Sequence, residues 1–188
     1  MDYPKLNIIF DSRRHERYEP LIAELSRQNI TNYELFPCII YDNVVASINA
    51  SHKMIVREAK KLGLEEVLIG EDDLMIPHEK GFEWFLKNKP DIYEIYAAAS
   101  YMAFKRPDSH RAIRVDCIVG FHLYFVHSRY YDIFLETDDK KHIDTEQKGK
   151  FMYVCYPFAA LQRQGYSWNN KVIVNYNSII TDPNDIYK

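Results

Sequence analysis

Val67-Leu-Ile-Gly-Glu-Asp-Asp-Leu-Met-Ile-Pro77 is the stretch on which the reading of this chain turns. An apolar run ends in three consecutive acids, Glu71, Asp72 and Asp73, and a second apolar run follows at once. Adjacent carboxylates repel, and solubility alone gives no reason to crowd them at the end of a strand of buried character. A divalent cation is the simplest thing to gather them there. If the segment stays extended, Glu71 and Asp73 point to one side and Asp72 to the other. Two carboxylates on one side can hold Mn²⁺ or Mg²⁺ and leave coordination positions open for phosphate oxygens. Helix capping or solvated acids are the alternative explanation of so short a motif.

Upstream, Leu6 to Phe10 reads as a buried strand, and D-S-R-R-H-E-R follows it directly. Apolar residues at Tyr18, Leu21, Ile22 and Leu25 then fall at helical spacing, with Pro20 tolerable only in the first turn. Arg13 and Arg14 therefore sit in the first strand-to-helix loop, where open α/β sheets bind ligands; solvated surface arginines are the other reading. Tyr33 to Tyr41 is a second strand, with Pro37 implying an edge or a bend. Ile48, His52, Ile55, Ala59 and Leu62 share one helical stripe ended by Gly63. His52 lies on that apolar face, where a satisfied core histidine is favoured over a ligand contact.

Downstream, a helix carrying Phe82, Phe85 and Leu86 precedes a fourth strand over Ile92 to Ala98. The order β-α-β-α-β-α-β predicts a mostly parallel sheet with helices on both faces. The second half differs. Arg111 to Ile118 and Phe121 to His127 are separated only by Val119 and Gly120, which predicts a hairpin or a sharply bent strand and an antiparallel second half. Ser128 is placed to cap a short helix. The polar run from Glu136 to Lys150, with Asp144 and Glu146, reads as a surface loop. Phe151 to Tyr156 is a last strand, and residues 176–188 read as a loosely held tail.

The 188 residues suit a single domain, residues 1–100 forming one half and 101–175 the other. A net charge of −3 argues against duplex nucleic acid as a partner. Three scattered cysteines with no C-x-x-C pair argue against a disulfide framework and for a reducing, cytoplasmic setting. No secretory signal and no apolar run of membrane-spanning length is evident, which leaves a peripheral membrane contact open.

Taken together, R-R-H-E-R, S-H-K-M-I-V-R-E-A followed by V-L-I-G-E-D-D, then F-H-L-Y-F-V, H-I-D and Y-P-F-A-A-L-Q-R-Q-G-Y-S resemble, in that order, segments of glycosyltransferase family 25, the lipopolysaccharide-type sugar transferases of the GT-A fold. The resemblance implies a GT-A-like α/β domain that moves a sugar from a uridine diphosphate sugar to a saccharide acceptor, with inversion. It implies Mn²⁺ or Mg²⁺ held directly by Asp73, with Glu71 or Asp72 as a second ligand or a ribose contact, and Arg13 or Arg14, with His52, on the nucleotide side. An inverting transfer needs a carboxylate to take the acceptor hydroxyl's proton, for which Asp144 is the first candidate and Asp116 the second. A non-catalytic domain that only binds a sugar nucleotide, and a receiver-type module whose paired acids bind Mg²⁺, are the competing readings.

Overall fold

Leu6–Phe10 forms β1 of the computed structural model, which describes residues 3–102, 111–180 and 182–187. Helix α1 (Tyr18–Arg27), β2 (Tyr33–Pro37), α2 (Val44–Lys61) and β3 (Glu66–Glu71) follow. Pro20 lies in the first turn of α1, where its missing N–H is not needed. Asn43 caps α2 by accepting from Ala46 N at 3.0 Å, and Gly63 ends it with a φ of +68°. Strand β2 stops at Pro37, short of Tyr41. The N–H groups of Ile39 and Tyr41 donate to the Ser51 and Ser47 hydroxyls at 2.8 Å, so that stretch leaves the sheet to dock on α2.

The remaining elements are β4 (Leu74–Met75), α3 (Gly81–Lys87), β5 (Ile95–Ala97), β6 (Arg111–Arg114), β7 (Leu123–His127), α4 (Tyr131–Leu135), β8 (Met152–Tyr156), β9 (Leu161–Gln162), β10 (Gly165–Ser167) and β11 (Val172–Val174). Seven strands make one sheet in the order β2-β1-β3-β7-β5-β8-β6. β1, β2, β3, β5 and β8 run one way, and β7 and β6 run against them. The fold is thus α/β with a mainly parallel central sheet. β4 with β9 and β10 with β11 form two small antiparallel pairs.

The expected hairpin between Arg111–Ile118 and Phe121–His127 is not there. β7 lies between β3 and β5, whereas β6 is the far edge beside β8. All five residues of β7 are buried, so it needs cover on both faces, which an edge hairpin could not give. The link is held by outside partners: Val119 N donates to Ser100 Oγ at 3.0 Å and Gly120 N to Asp144 at 2.8 Å. Ser128 is not the cap; the His127 ring accepts from Arg129 N at 3.2 Å.

Alternation along β3 and β7 builds the core on both sides. Ile69 and Tyr124 face Ile55, Val56 and Phe134 of α2 and α4, and Leu68 and Phe125 face Leu21, Leu25, Phe82 and Phe85 of α1 and α3. The described residues near the end of the chain, expected as a loose tail, are tied down. Tyr156 donates to Asp185 at 2.9 Å, Phe158 bridges Ile186, and the Tyr187 ring stacks on Trp84 at 4.6 Å. Among the described residues no helix is long and apolar enough to cross a membrane.

Candidate functional site

β1 and β3 pair in parallel with Ile9 opposite Glu71, so the loops that leave them open at the same edge of the sheet. There a cleft of about 680 Å³ is walled by the first loop, the acidic turn, Gly120 and Phe121, residues 142–145 and the β10–β11 hairpin. Carboxyl ends of parallel strands are where open α/β sheets place ligands. Arg13, Arg14, His52, Glu71, Asp72, Asp73 and Asp144 all line it. Asp116 does not: it is exposed, just past β6 at the far edge of the sheet.

The acids do not alternate as an extended strand would require. β3 ends at Glu71 and the chain turns through residues 72 and 73 before Leu74. As a result Asp72 and Asp73 share one partner, Arg17, while Glu71 stands apart. Arg17 Nη1 binds Asp72 Oδ1 and lies 2.9 Å from Asp73 Oδ2. Asp72 Oδ2 accepts from Asp11 N at 2.9 Å, which ties the two strand-end loops together and leaves Asp72 with both oxygens engaged. Asp73 Oδ2 also accepts from Gln162 Nε2 at 2.9 Å. Asp73 Oδ1 is buried and has no hydrogen-bond partner among the described residues.

Glu71 Oε1 meets His52 Nε2 at 3.1 Å, and His52 Nδ1 meets the Tyr124 hydroxyl at 2.7 Å. Withdrawal from water, with Asp73, Asp72 and Asp144 nearby, raises the Glu71 carboxyl well above its ordinary range. Burial raises Asp72 as well, against the pull of Arg17. Burial opposes the charge of Arg17, but Asp73 and Asp72 overcome it and hold the guanidinium charged. Burial lowers His52 to about 4, partly opposed by Asp144, so its ring is neutral at pH 7.

The two arginines of the first loop have separate tasks. Arg13 forms a double hydrogen bond to Asp11 at 2.8 and 2.6 Å and lies over the Trp168 ring at 5.4 Å. Arg14 is buried and binds Glu16 at 2.6 Å and the Tyr166 carbonyl at 2.9 Å, which anchors the β10–β11 hairpin. Asp144 accepts from Gly120 N and Thr145 N, both at 2.8 Å. Gly120 has a φ of +98°, and a Cβ there would sit 2.9 Å from the Tyr101 ring.

Arg17, Tyr101 and Gln162 were not among the residues expected from the sequence. Arg17 had a signal, as the third arginine of R-R-H-E-R, but only the start of α1 turns it toward Asp72 and Asp73. Gln162 N donates to the Tyr101 hydroxyl at 2.8 Å, 61 positions away, a pairing with no local pattern.

Among the described residues, no group of three His, Cys, Asp or Glu side chains is arranged to hold a metal ion by itself. The acids do fit an ion whose remaining positions are filled by ligand oxygens. Asp73 offers a buried oxygen without a partner among the described residues, and Glu71 offers a second carboxylate that gains from any added positive charge.

The chain is an α/β domain whose cleft has acidic residues and arginines in its lining. No family model matches the sequence, and no curated protein matches it. Solved structures are similar in chain course. A structure of A197 from STIV has a TM-score of 0.49 at 11% identity, over 92% of this chain and 93% of that one. A glycosyltransferase involved in glycosylation of the major capsid of PBCV-1 gives 0.37 at 14%, over 69% of this chain and 62% of its own. A Drosophila β1,4-galactosyltransferase 7 mutant, in complex with manganese, UDP-Gal and xylobiose, gives 0.41 at 13%, over 70% and 52%. At such scores and identities the function is left to be read from the cleft.

Proposed function

We propose that this chain is a cation-assisted glycosyltransferase of GT-A type, moving a sugar from a nucleotide diphosphate sugar, uridine diphosphate by its family 25 resemblance, to a saccharide acceptor. Surface polysaccharide or lipopolysaccharide assembly is the corresponding setting. The observation that carries this reading is Asp73 Oδ1, a buried carboxylate oxygen without a partner among the described residues, in a cleft of about 680 Å³ that Glu71, Asp72 and Asp144 also line. Buried acceptors are normally satisfied, so one left open in a cleft marks a place for a ligand.

In this reading Asp73 and Glu71 hold Mn²⁺ or Mg²⁺, whose positive charge would offset that of a departing diphosphate. Asp72 keeps Arg17 and the Asp11 backbone in place. Arg13 and Arg17 supply fixed positive charge for phosphate oxygens. Asp144, held by two backbone N–H groups on the cleft wall, takes the proton of the acceptor hydroxyl.

Calorimetric titration with UDP and Mn²⁺ tests the donor site. Wild type is expected to bind both together and Asp73→Asn to lose that binding; equal affinity in the variant would overturn the assignment. Turnover against a panel of sugar nucleotides tests the transfer itself, and binding without turnover would make the chain a sugar-nucleotide binding domain.

A further inference from the structure

Tyr124 and His52 form a buried hydrogen-bonded chain that ends on Glu71, and no step of the proposed transfer uses either of them. Tyr124 is on β7, His52 on α2 and Glu71 at the end of β3, so three elements meet in this one line. Both aromatic groups are essentially closed to solvent, at 0% for Tyr124 and 1% for His52, whereas the Glu71 side chain is 26% exposed on the cleft. The tyrosine ring is clamped by stacking on Phe121, centroids 4.1 Å apart, and on Phe134 at 6.3 Å. It has little freedom to turn its hydroxyl elsewhere.

The direction of the chain follows from counting donors. The Tyr124 hydroxyl has His52 Nδ1 as its polar partner among the described residues. A buried hydroxyl that only accepted would leave its own proton unbonded, which is costly away from water, so it donates to Nδ1. A neutral imidazole carries one proton, which must then sit on Nε2 and point at Glu71 Oε1. The carboxylate thus receives an uncharged donor on one oxygen, and its other oxygen is left for whatever occupies the cleft.

Asp72 is excluded from that role. Its two oxygens are spent on Arg17 and Asp11 N. Of the two carboxylates beside Asp73, only Glu71 can turn an oxygen to a ligand without breaking a bond that holds the loops together.

Resting on the donor-site reading above, we infer that Tyr124 and His52 are positioning residues, which fix the imidazole tautomer and thereby aim Glu71, as the second carboxylate after Asp73, at the bound cation and diphosphate. Outer partners of this kind typically alter metal affinity or activity by about 10–100-fold when removed.

Two measurements on the full chain test this. Nitrogen-15 NMR of the histidines at neutral pH needs no ligand: His52 is expected with its proton on Nε2, and Tyr124→Phe is expected to release that preference. A proton on Nδ1 in the wild type, or an unchanged tautomer in Tyr124→Phe, overturns the inference. Titration with UDP and Mn²⁺ then reads the coupling. Tyr124→Phe should weaken binding about tenfold, and in a Glu71→Gln background should have no further effect. An equal loss in both backgrounds overturns the inference. His52→Gln, whose amide can replace the Nε2 donor, should bind closer to wild type than His52→Asn; the reverse order overturns it too. If wild type binds neither UDP nor Mn²⁺, the donor-site reading fails while the NMR arm still decides the tautomer.

Discussion

Arg17→Met is the substitution whose effects should have opposite signs. The guanidinium joins Asp72 and Asp73, and its side chain is 16% exposed while theirs are 6%. Removing one member of a buried ion pair costs about 3–5 kcal/mol, because the charges left behind are not compensated. Asp11 N still serves Asp72 and Gln162 still serves Asp73, so the lower end, about 3 kcal/mol, applies. For a chain of this length that is a fall in Tm of about 6–12 °C. The same vacancy of charge favours a cation. Arg17 competes with any ion for Asp73, so Mn²⁺ alone should raise the Tm of the variant more than that of wild type, with affinity increased about tenfold, or 1.4 kcal/mol. UDP with Mn²⁺ should nevertheless bind less well, since a phosphate partner is gone. Thermal melts with and without Mn²⁺, and calorimetry with UDP, measure the three effects. Equal stabilisation of both proteins by Mn²⁺ would refute the view that Arg17 competes with an ion for Asp73. Arg13→Met is the control: its side chain is 46% exposed, and a change below about 1 kcal/mol is expected.

Asp144→Asn should lower turnover about 100-fold with little change in donor affinity, because the amide oxygen can still accept from Gly120 N while the base is lost; steady-state kinetics with a sugar nucleotide separates the two. Asp116→Asn should leave turnover unchanged, since its side chain is outside the cleft. Glu71 binds its proton more tightly folded than unfolded, so wild type loses stability as pH rises from the ordinary glutamate value of 4.5 through the raised folded one. Glu71→Gln should therefore melt higher than wild type at pH 8, by a margin that shrinks toward pH 4.5; a margin that grows on acidification would contradict the assigned shift. His52 acts in the other direction. Its folded value of about 4 lies below the ordinary 6.5, so its share of stability, about 3 kcal/mol, is complete above pH 6.5 and lost as pH falls to about 4, and urea midpoints of His52→Gln should lack that part of the acid dependence.

What could be read from the sequence depended on how far apart the interacting residues lie along the chain. β1, α1, α2 and β3 announce themselves by local periodicity, and the first loop and acidic turn follow from them because parallel strands open their loops on one edge. The place of β7 does not follow. Its apolar run is as compatible with a hairpin as with the centre of a sheet, and only the burial of both its faces against α2, α4, α1 and α3 decides between them. The acidic turn fails in the same way on a smaller scale. Alternation holds to Glu71, where the ladder with β7 and β1 ends, and beyond it the direction of Asp72 and Asp73 is set by Arg17, 55 positions from Asp72, and by Gln162, 89 positions from Asp73. Strand rules apply while ladder hydrogen bonds hold the pleat; past that point side-chain partners orient the chain. The division of labour among the three acids is therefore a tertiary property. Asp72 is consumed in tying the loop after β1 to β3, Asp73 keeps one oxygen without a partner among the described residues, and Glu71 meets a histidine that a tyrosine from a third element holds, so that three acids in a row come to face three different environments.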